Sequence, residues 1–360
     1  MHIPGAARSL LTEAIPADAH AGEVGSGVVA GVVDVAGNSD TLAVGRRRLD
    51  GDDLTVDTRF DLASLTKVVA TLPSVLRLVA AGELSLEDNV GRFFSSAGWF
   101  QQPSLSDVTV RSLLTHSSGL PAWQPLFAQV STRRSALAAV LQTPVGPPGE
   151  VVYSDLGFML LGAIVERVAH ERLDAFVARE VFDPLDMLAT RFGPLDGVPV
   201  AATEDCGWRG TLLEGQVHDE NATVWNDVAG HAGLFGTVDD LLRYVHAWLT
   251  LDVRLGPEEL LRDAISEQVV ARDVALGTGR RGLGWLLAQP GVFAGEGARG
   301  FGHTGFTGTS LWVDPEAGYA VVLLSNRVHP RRGPPARIHE LRVAFHDAVR
   351  RGFEGSRSAS

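Results

Sequence analysis

A mixed α+β protein is predicted for this 360-residue chain: an antiparallel sheet built from both chain ends, flanked by helices, with a mostly helical domain inserted between them. Two observations predict it. Apolar, β-branched runs bounded by turn residues cluster near the two ends of the chain. Between them, apolar residues recur with the 3.6-residue period of helices. The expected division is residues 1–62 plus 275–352 as the sheet domain, 63–274 as the mainly helical domain, and 353–360 as a loose tail. No internal repeat is visible at periods of about 20–50 residues.

The elements follow in order. Ala6–Ala14 reads as a helix. Val28–Val35 and Thr41–Val44 read as strands joined by Gly37-Asn38, a hairpin signal. From Ala63 the period changes: Leu65, Val68, Val69, Leu72, Leu76 and Val79 share one helical face. Pro73 must kink or split that helix, because it has no N–H to donate, and Gly82 ends it. Thr109–Leu114, Ala136–Leu141, Leu156–Val168, Leu173–Glu180 and Val238–Leu249 also read as helices, separated by Gly- and Pro-rich loops. After Gly282, strand-like runs return at Leu283–Leu287, Thr309–Val313 and Tyr319–Ser325, the last two joined by the turn Asp314-Pro315-Glu316-Ala317-Gly318. Ala336–Arg350 is amphipathic, with Ile338, Leu341, Phe345 and Val349 on one face.

Composition narrows the function. With 31 basic against 43 acidic residues the net charge is −12, which argues against a nucleic-acid or anionic-membrane binder, since phosphate neutralisation needs clustered Lys and Arg. The longest basic run is Arg46-Arg47-Arg48. The one cysteine, Cys206, can form no disulfide within the chain. Arg8, Glu13 and Asp18 interrupt any leader-like apolar run, and no stretch approaches the ~18 apolar residues of a membrane span, so a cytoplasmic protein is the expectation, or a periplasmic or secreted one if a leader has been trimmed.

One count stands out: among the 31 basic residues the only lysine is Lys67. Arginine replaces lysine in most surface roles but stays charged, whereas a lysine amine can lose its proton when its surroundings depress the pKa. Lys67 is therefore a candidate base. It lies three residues after Ser64, a spacing that puts both side chains on one helical face, and a serine hydroxyl is a weak nucleophile that needs such a neighbour. Two further segments carry chemistry. Tyr153-Ser154-Asp155 follows the loop Gly146-Pro147-Pro148-Gly149 and precedes an apolar helix; Ser154 or Asp155 equally suits the N-cap of that helix. His303-Thr304-Gly305 heads a late strand-like run, where a glycine admits close approach to the backbone.

Taken in order, Ser64-Leu65-Thr66-Lys67, then Tyr153-Ser154-Asp155, then His303-Thr304-Gly305 resemble the motif set of the penicillin-recognising serine hydrolases. Leu113–Pro121, Val217–Ala222, Gly230–Phe235 and Leu324–Arg327 are similar to segments of the class C β-lactamase branch. The resemblance implies a β-lactamase/transpeptidase-like fold and acyl transfer, with Ser64 as the acylated nucleophile, Lys67 as its partner base and Tyr153 as a proton relay. It also implies an oxyanion hole from the N–H groups of Ser64 and Phe306, and substrate contacts from Asp155, His303, Thr304 and Gly305.

Two positions depart from that pattern. Asp155 stands where the family usually has Asn, and a carboxylate beside Lys67 favours the charged amine. The expectation is that Asp155 points away, or that Lys67 acts electrostatically while Tyr153 carries the proton. His303 stands in place of the usual Lys and is neutral at physiological pH unless perturbed, which weakens recognition of a substrate carboxylate; Arg327 is a candidate replacement if it faces the cleft.

Other signals are set aside. Gly277–Gly282 and Gly295–Gly300 match GxGxxG, but neither stands between a strand and a helix. His218, Asp219, Glu220, Asp227 and His231 lack a metal-ligand spacing, so neither a metal nor another cofactor is expected. His116 is read as a turn-bracing residue. No GxSxG elbow and no Glu-x-x-Leu-Asn loop are present, so deacylation is left to Tyr153 and Lys67. The expected activity is hydrolysis of a small amide, ester or D-amino-acid peptide, with a small-molecule or short-peptide substrate as the partner. The alternative is a catalytically weak binding or sensor protein of the same fold.

Overall fold

The computed structural model describes residues 1–15, 24–94, 103–147, 149–270, 279–288, 295 and 297–358. In chain order its strands are β1 (Gly27–Asp34), β2 (Ser39–Gly45), β3 (Phe60–Asp61), β4 (Arg191–Phe192), β5 (Asp205–Cys206), β6 (Thr211–Leu212), β7 (Leu234–Gly236), β8 (Val269–Val270), β9 (Arg280–Arg281), β10 (Leu286–Leu287), β11 (Phe301–Thr304), β12 (Ser310–Asp314) and β13 (Tyr319–Ser325). Eight of them form one antiparallel sheet in the order β2-β1-β13-β12-β11-β10-β9-β8. The two chain ends meet at β1 and β13, where Val28 faces Ser325 and Asp34 faces Tyr319. The fold is therefore the mixed α+β architecture predicted, with both ends contributing to one sheet.

The strands read as nearly continuous apolar runs because both sheet faces are covered. Val29, Val33, Leu311, Val313, Val322 and Leu324 point into the main core, against which the helix Val238–Leu249 packs. Val28, Val32, Trp312, Val321 and Leu323 point the other way, onto Ala7 and Leu11 of the helix Gly5–Ala14 and onto Ile338, Leu341, Phe345 and Val349 of the last helix. That helix runs from Ala336 to Ser358, not to Arg350. Residues 353–358 continue this helix, and Phe353 packs on Tyr319 with ring centroids 4.8 Å apart.

Pro73 splits its helix as the sequence requires, and the consequence reaches the site. Residues Lys67–Thr71 form a π-helical turn and Leu72–Ala80 continues as an α-helix. The Leu72 N–H donates to the Lys67 carbonyl, five residues back. In that register Pro73 would have to donate to Val68, and it has no N–H. The hydroxyl of Tyr244, buried in the helix Val238–Leu249, donates to the Val68 carbonyl instead. Burial holds that phenol protonated, so it remains a donor. Single π-turns of this kind recur at functional positions in helices.

Two other segments differ from their sequence readings. The helix expected over Leu173–Glu180 is Leu173–Val177 followed by a second π-turn, Ala178–Phe182. The run Leu283–Leu287 is a strand only at Leu286–Leu287, because Gly284 takes a positive φ of 73° and the Gly282 N–H closes a turn onto Trp285. The middle of the chain also holds a three-stranded sheet, β3-β7-β4, and the hairpin β5-β6. Gly277, Thr278 and Glu296 of the two GxGxxG stretches, and Pro148, lie outside the described residues.

A close approach locks the helix Asp155–Ala169 to the segment that carries Gly230. A Cβ on Gly230 would sit 2.0 Å from the Phe158 carbonyl oxygen, so no larger residue fits. The Gly230 carbonyl accepts the Thr71 hydroxyl at 2.6 Å, and the Leu234 N–H donates to Thr66 Oγ1 at 3.2 Å. The π-turn, the long helix and the entry to β7 are thereby held as one unit.

Candidate active site

Ser64 sits where β3 gives way to the first turn of the split helix. Ala63 immediately before it has φ of 47°, a conformation unusual for a side chain with Cβ. The buried carboxylate of Asp61 holds that bend: Oδ1 accepts the Ala63 N–H at 2.8 Å and Oδ2 accepts the His218 N–H at 2.7 Å. Burial pushes the Asp61 carboxyl up, against the pull of His218. Thr307 and Thr309, in the loop between β11 and β12, donate to the carbonyls of Asp61 and Leu62, at 2.7 and 3.1 Å. The bend at Ser64 is thus tied to the loop between β11 and β12.

Lys67 is wholly buried behind Ser64. Its Nζ lies 2.9 Å from Ser64 Oγ, 3.2 Å from the His231 carbonyl oxygen and 2.7 Å from Asp155 Oδ1. Burial favours the neutral amine, but the Asp155 carboxylate outweighs it, with Tyr153 adding to the effect, so Lys67 is held charged and its pKa lies above the ordinary lysine value. Of the two alternatives the sequence left open for Asp155, pointing away is thereby overturned: the carboxylate faces the amine because it opens the helix Asp155–Ala169 directly beside it.

Ser154 is the N-cap of that helix, accepting the Gly157 N–H, while its hydroxyl donates to the Pro121 carbonyl at 2.7 Å. The Ser154 N–H donates to His116 Nδ1 at 3.0 Å. His116 therefore braces the Tyr153-Ser154-Asp155 segment from behind, with its ring 4.6 Å from that of Tyr153. The Tyr153 hydroxyl is buried, with the Lys67 amine as its polar neighbour, and that amine lies 4.9 Å from the centre of the Tyr153 ring.

The third segment closes the other wall. His303 and Thr304 end β11, and a Cβ on Gly305 would meet Thr309 Oγ1 at 2.1 Å and the Leu62 carbonyl oxygen at 2.5 Å, so only glycine fits there. The His303 ring lies 5.8 Å from Tyr153, and its Nδ1 is 2.8 Å from the Thr304 carbonyl oxygen. Burial pulls the His303 pKa down to about 3, with the Lys67 and Arg281 charges adding, so the ring is neutral. The N–H groups of Ser64 and Phe306 have no acceptor among the described residues.

Ser64, Tyr153, Asp155, His303, Thr304, Gly305 and Phe306 line one cavity of about 630 Å³. Arg327 also lines it, but its Nε and Nη1 are bound to the carbonyls of Phe306 and Gly333. Arg281 and Trp123 are among the lining residues that had no sequence signal. Arg281 on β9 is buried, its Nε is unpartnered among the described residues, and its guanidinium lies 5.5 Å from the Tyr153 ring. As one of many arginines it could not be singled out in the sequence. Trp123, 47% exposed, lines the cavity and lies near Phe127, which in turn meets Trp208. The histidines considered as metal ligands occur in separate pairs: His218 with Glu204 and His231 with Asp219, each at 3.0 Å.

The buried neutral histidines make stability depend on acid. His116 is also pushed well below its ordinary value, by burial first and then by the Arg281 and Lys67 charges. Below about pH 6.5 the unfolded chain binds a proton at each ring that the folded protein refuses. Stability is therefore full above that pH and falls as pH drops toward about 3 for His303. The expected slope approaches about 1.4 kcal/mol per pH unit for each ring. Urea unfolding at pH 7, 6 and 5 measures it, and His303→Gln should give a shallower dependence; equal slopes in both proteins would contradict this account.

A sequence profile of the Beta-lactamase family matches residues 18–345. The chain is 31% identical over 306 residues to the N-acetylmuramyl-L-alanine amidase of Bacillus subtilis (strain 168), covering 76% of this chain and 68% of that protein. It is 30% identical over 320 residues to a putative D-alanyl-D-alanine carboxypeptidase of Escherichia coli (strain K12), covering 78% and 73%. Among solved structures, EstCE1, a hydrolase with promiscuous acyltransferase activity, superposes with a TM-score of 0.77 at 21% identity over 96% of this chain and 97% of that one. No helix among the described residues is long and apolar enough to cross a membrane. The profile match over most of the chain, and the relatives named as an amidase and a carboxypeptidase, show that this protein belongs to the Beta-lactamase family of hydrolases.

Proposed function

We propose that the protein is a serine hydrolase that works by acyl transfer through Ser64, on a small amide, ester or D-amino-acid peptide. The observation that carries this is the Ser64 hydroxyl 2.9 Å from the Lys67 amine, opening onto a cavity large enough for a short peptide. Ser64 Oγ attacks the substrate carbonyl carbon, and the N–H groups of Ser64 and Phe306 receive the developing oxyanion. Tyr153, with a buried hydroxyl beside the Lys67 amine, stands where it can exchange a proton with the leaving group and later with water. The substrate then lies along Thr304 and Gly305.

The neutral His303 supplies no charge for a substrate carboxylate. Arg281 does, because its guanidinium has no carboxylate partner among the described residues and faces the same cavity. This keeps D-amino-acid peptides with a free carboxylate among the candidate substrates beside neutral esters.

Incubation with a fluorophosphonate probe and mapping of the labelled peptide tests the reading. The expected result is one phosphonyl group on Ser64. A protein that stays unlabelled would instead be the weak binder of the same fold. Parallel assays with a chromogenic cephalosporin, short p-nitrophenyl esters and a D-Ala-D-Ala peptide then sort the substrate class.

A further inference from the structure

The amine of Lys67 has three neighbours that accept hydrogen bonds: Ser64 Oγ, the His231 carbonyl and Asp155 Oδ1. A charged ammonium has three N–H groups and no lone pair, so in this arrangement all three are engaged and none can take the serine proton. The amine must first give one away. The His231 carbonyl is no proton acceptor in water's pH range, and Ser64 is the group to be deprotonated. Asp155 Oδ1 and the Tyr153 hydroxyl are the neighbours that remain. Asp155 Oδ1 is the carboxylate of the two: it lies 2.7 Å from Nζ and has no other hydrogen-bond partner among the described residues.

We propose that Asp155 is the terminal proton acceptor of the acylation step, with Lys67 as the conduit between it and Ser64. The inference rests on the proposed serine-hydrolase reading. As Oγ forms its bond to the substrate carbonyl carbon, the carbonyl π pair moves to oxygen and the Ser64 O–H breaks. That proton forms an N–H on Lys67, while the Lys67 N–H facing Asp155 breaks and an O–H forms on the carboxylate. The charges balance: a neutral ion pair becomes a lysine cation beside a carboxylic acid, and the new positive charge is matched by the oxyanion. When the C–leaving-group bond breaks, the proton returns by way of Lys67 and Tyr153 to the leaving group. No charge is left uncompensated in the buried pocket at any stage.

The other titratable groups facing the pair do not compete. His116 and His303 on either side of Tyr153 are neutral and buried, Arg281 holds its proton, and His231 is engaged with Asp219 through its ring. Tyr153 is the rival acceptor, which the test must separate from Asp155.

The test is the rate of fluorophosphonate labelling from pH 4 to pH 10 in wild type, Asp155→Asn and Tyr153→Phe. The amide keeps the shape but cannot take a proton, so Lys67 must shed its own before Ser64 can react. Asp155→Asn is expected to move the acid limb up by about one pH unit or more, with a loss of about 10-fold or more at pH 5 and recovery toward the wild-type rate above pH 9. Recovery at high pH shows that the site is intact. Superimposable profiles for wild type and Asp155→Asn, or a loss that stays constant with pH, would overturn the role of Asp155 while leaving the Ser64 reaction standing. An acid limb displaced in Tyr153→Phe and not in Asp155→Asn would overturn it in favour of the phenol. Wild type that never labels would remove the serine-hydrolase reading and this proposal together.

Discussion

Replacing Ser64 by alanine is expected to lower turnover on the order of 10⁶-fold, with the melting temperature little changed. The residue sits at a surface-facing bend held by Asp61, Thr307 and Thr309, none of which bonds to its side chain, so removing the hydroxyl leaves the scaffold standing. On the proposed mechanism, what would remain is stabilisation by the N–H groups of Ser64 and Phe306 and by binding. Residues that act as a unit do not add, so Ser64→Ala with Lys67→Ala should be no slower than Ser64→Ala alone. Steady-state kinetics on whichever ester or peptide proves to be a substrate measures both. A double variant markedly slower than the single one would mean that Lys67 serves a reaction not carried by Ser64.

Lys67→Arg is the second large effect. Arginine keeps the positive charge and can keep a partner in Asp155, but its pKa above ~12 prevents it from passing a proton. A loss of about 10³-fold in kcat is expected, within the range contributed by a positioned acid–base group. KM should move much less, because the lysine is buried behind the serine and does not line the cavity. If Lys67 only supplied a field, arginine would supply it too, and near-normal turnover would show that. Circular dichroism and the melting temperature verify that the larger guanidinium has been accommodated beside the π-turn.

Much of the fold was legible because it follows from local chemistry. The helix Val238–Leu249 was read with its ends in place, from apolar periodicity that matches its buried face. The hairpin β1–β2 followed from β-branched runs around Gly37-Asn38. Pro73 announced a break in its helix, though not that a π-turn would absorb it or that Tyr244 would supply the missing donor. The extension of the last helix to Ser358 was not legible, since it depends on Phe353 reaching Tyr319 far away in sequence.

For the candidate site, the sequence by itself determined the three motifs of the inventory, though not Arg281 or Trp123. A lone lysine three residues after a serine, and two motifs in a particular order, named groups that line one cavity or stand directly behind it. What it could not determine was protonation, because that depends on distance and burial. Only the tertiary structure put Asp155 against Lys67, buried His303 and His116 until they are neutral, and left Arg281 facing the cavity without a carboxylate partner among the described residues. The physical reason is that residue type follows from the chain, whereas the charge a residue carries is set by neighbours that the fold brings together from distant parts of it.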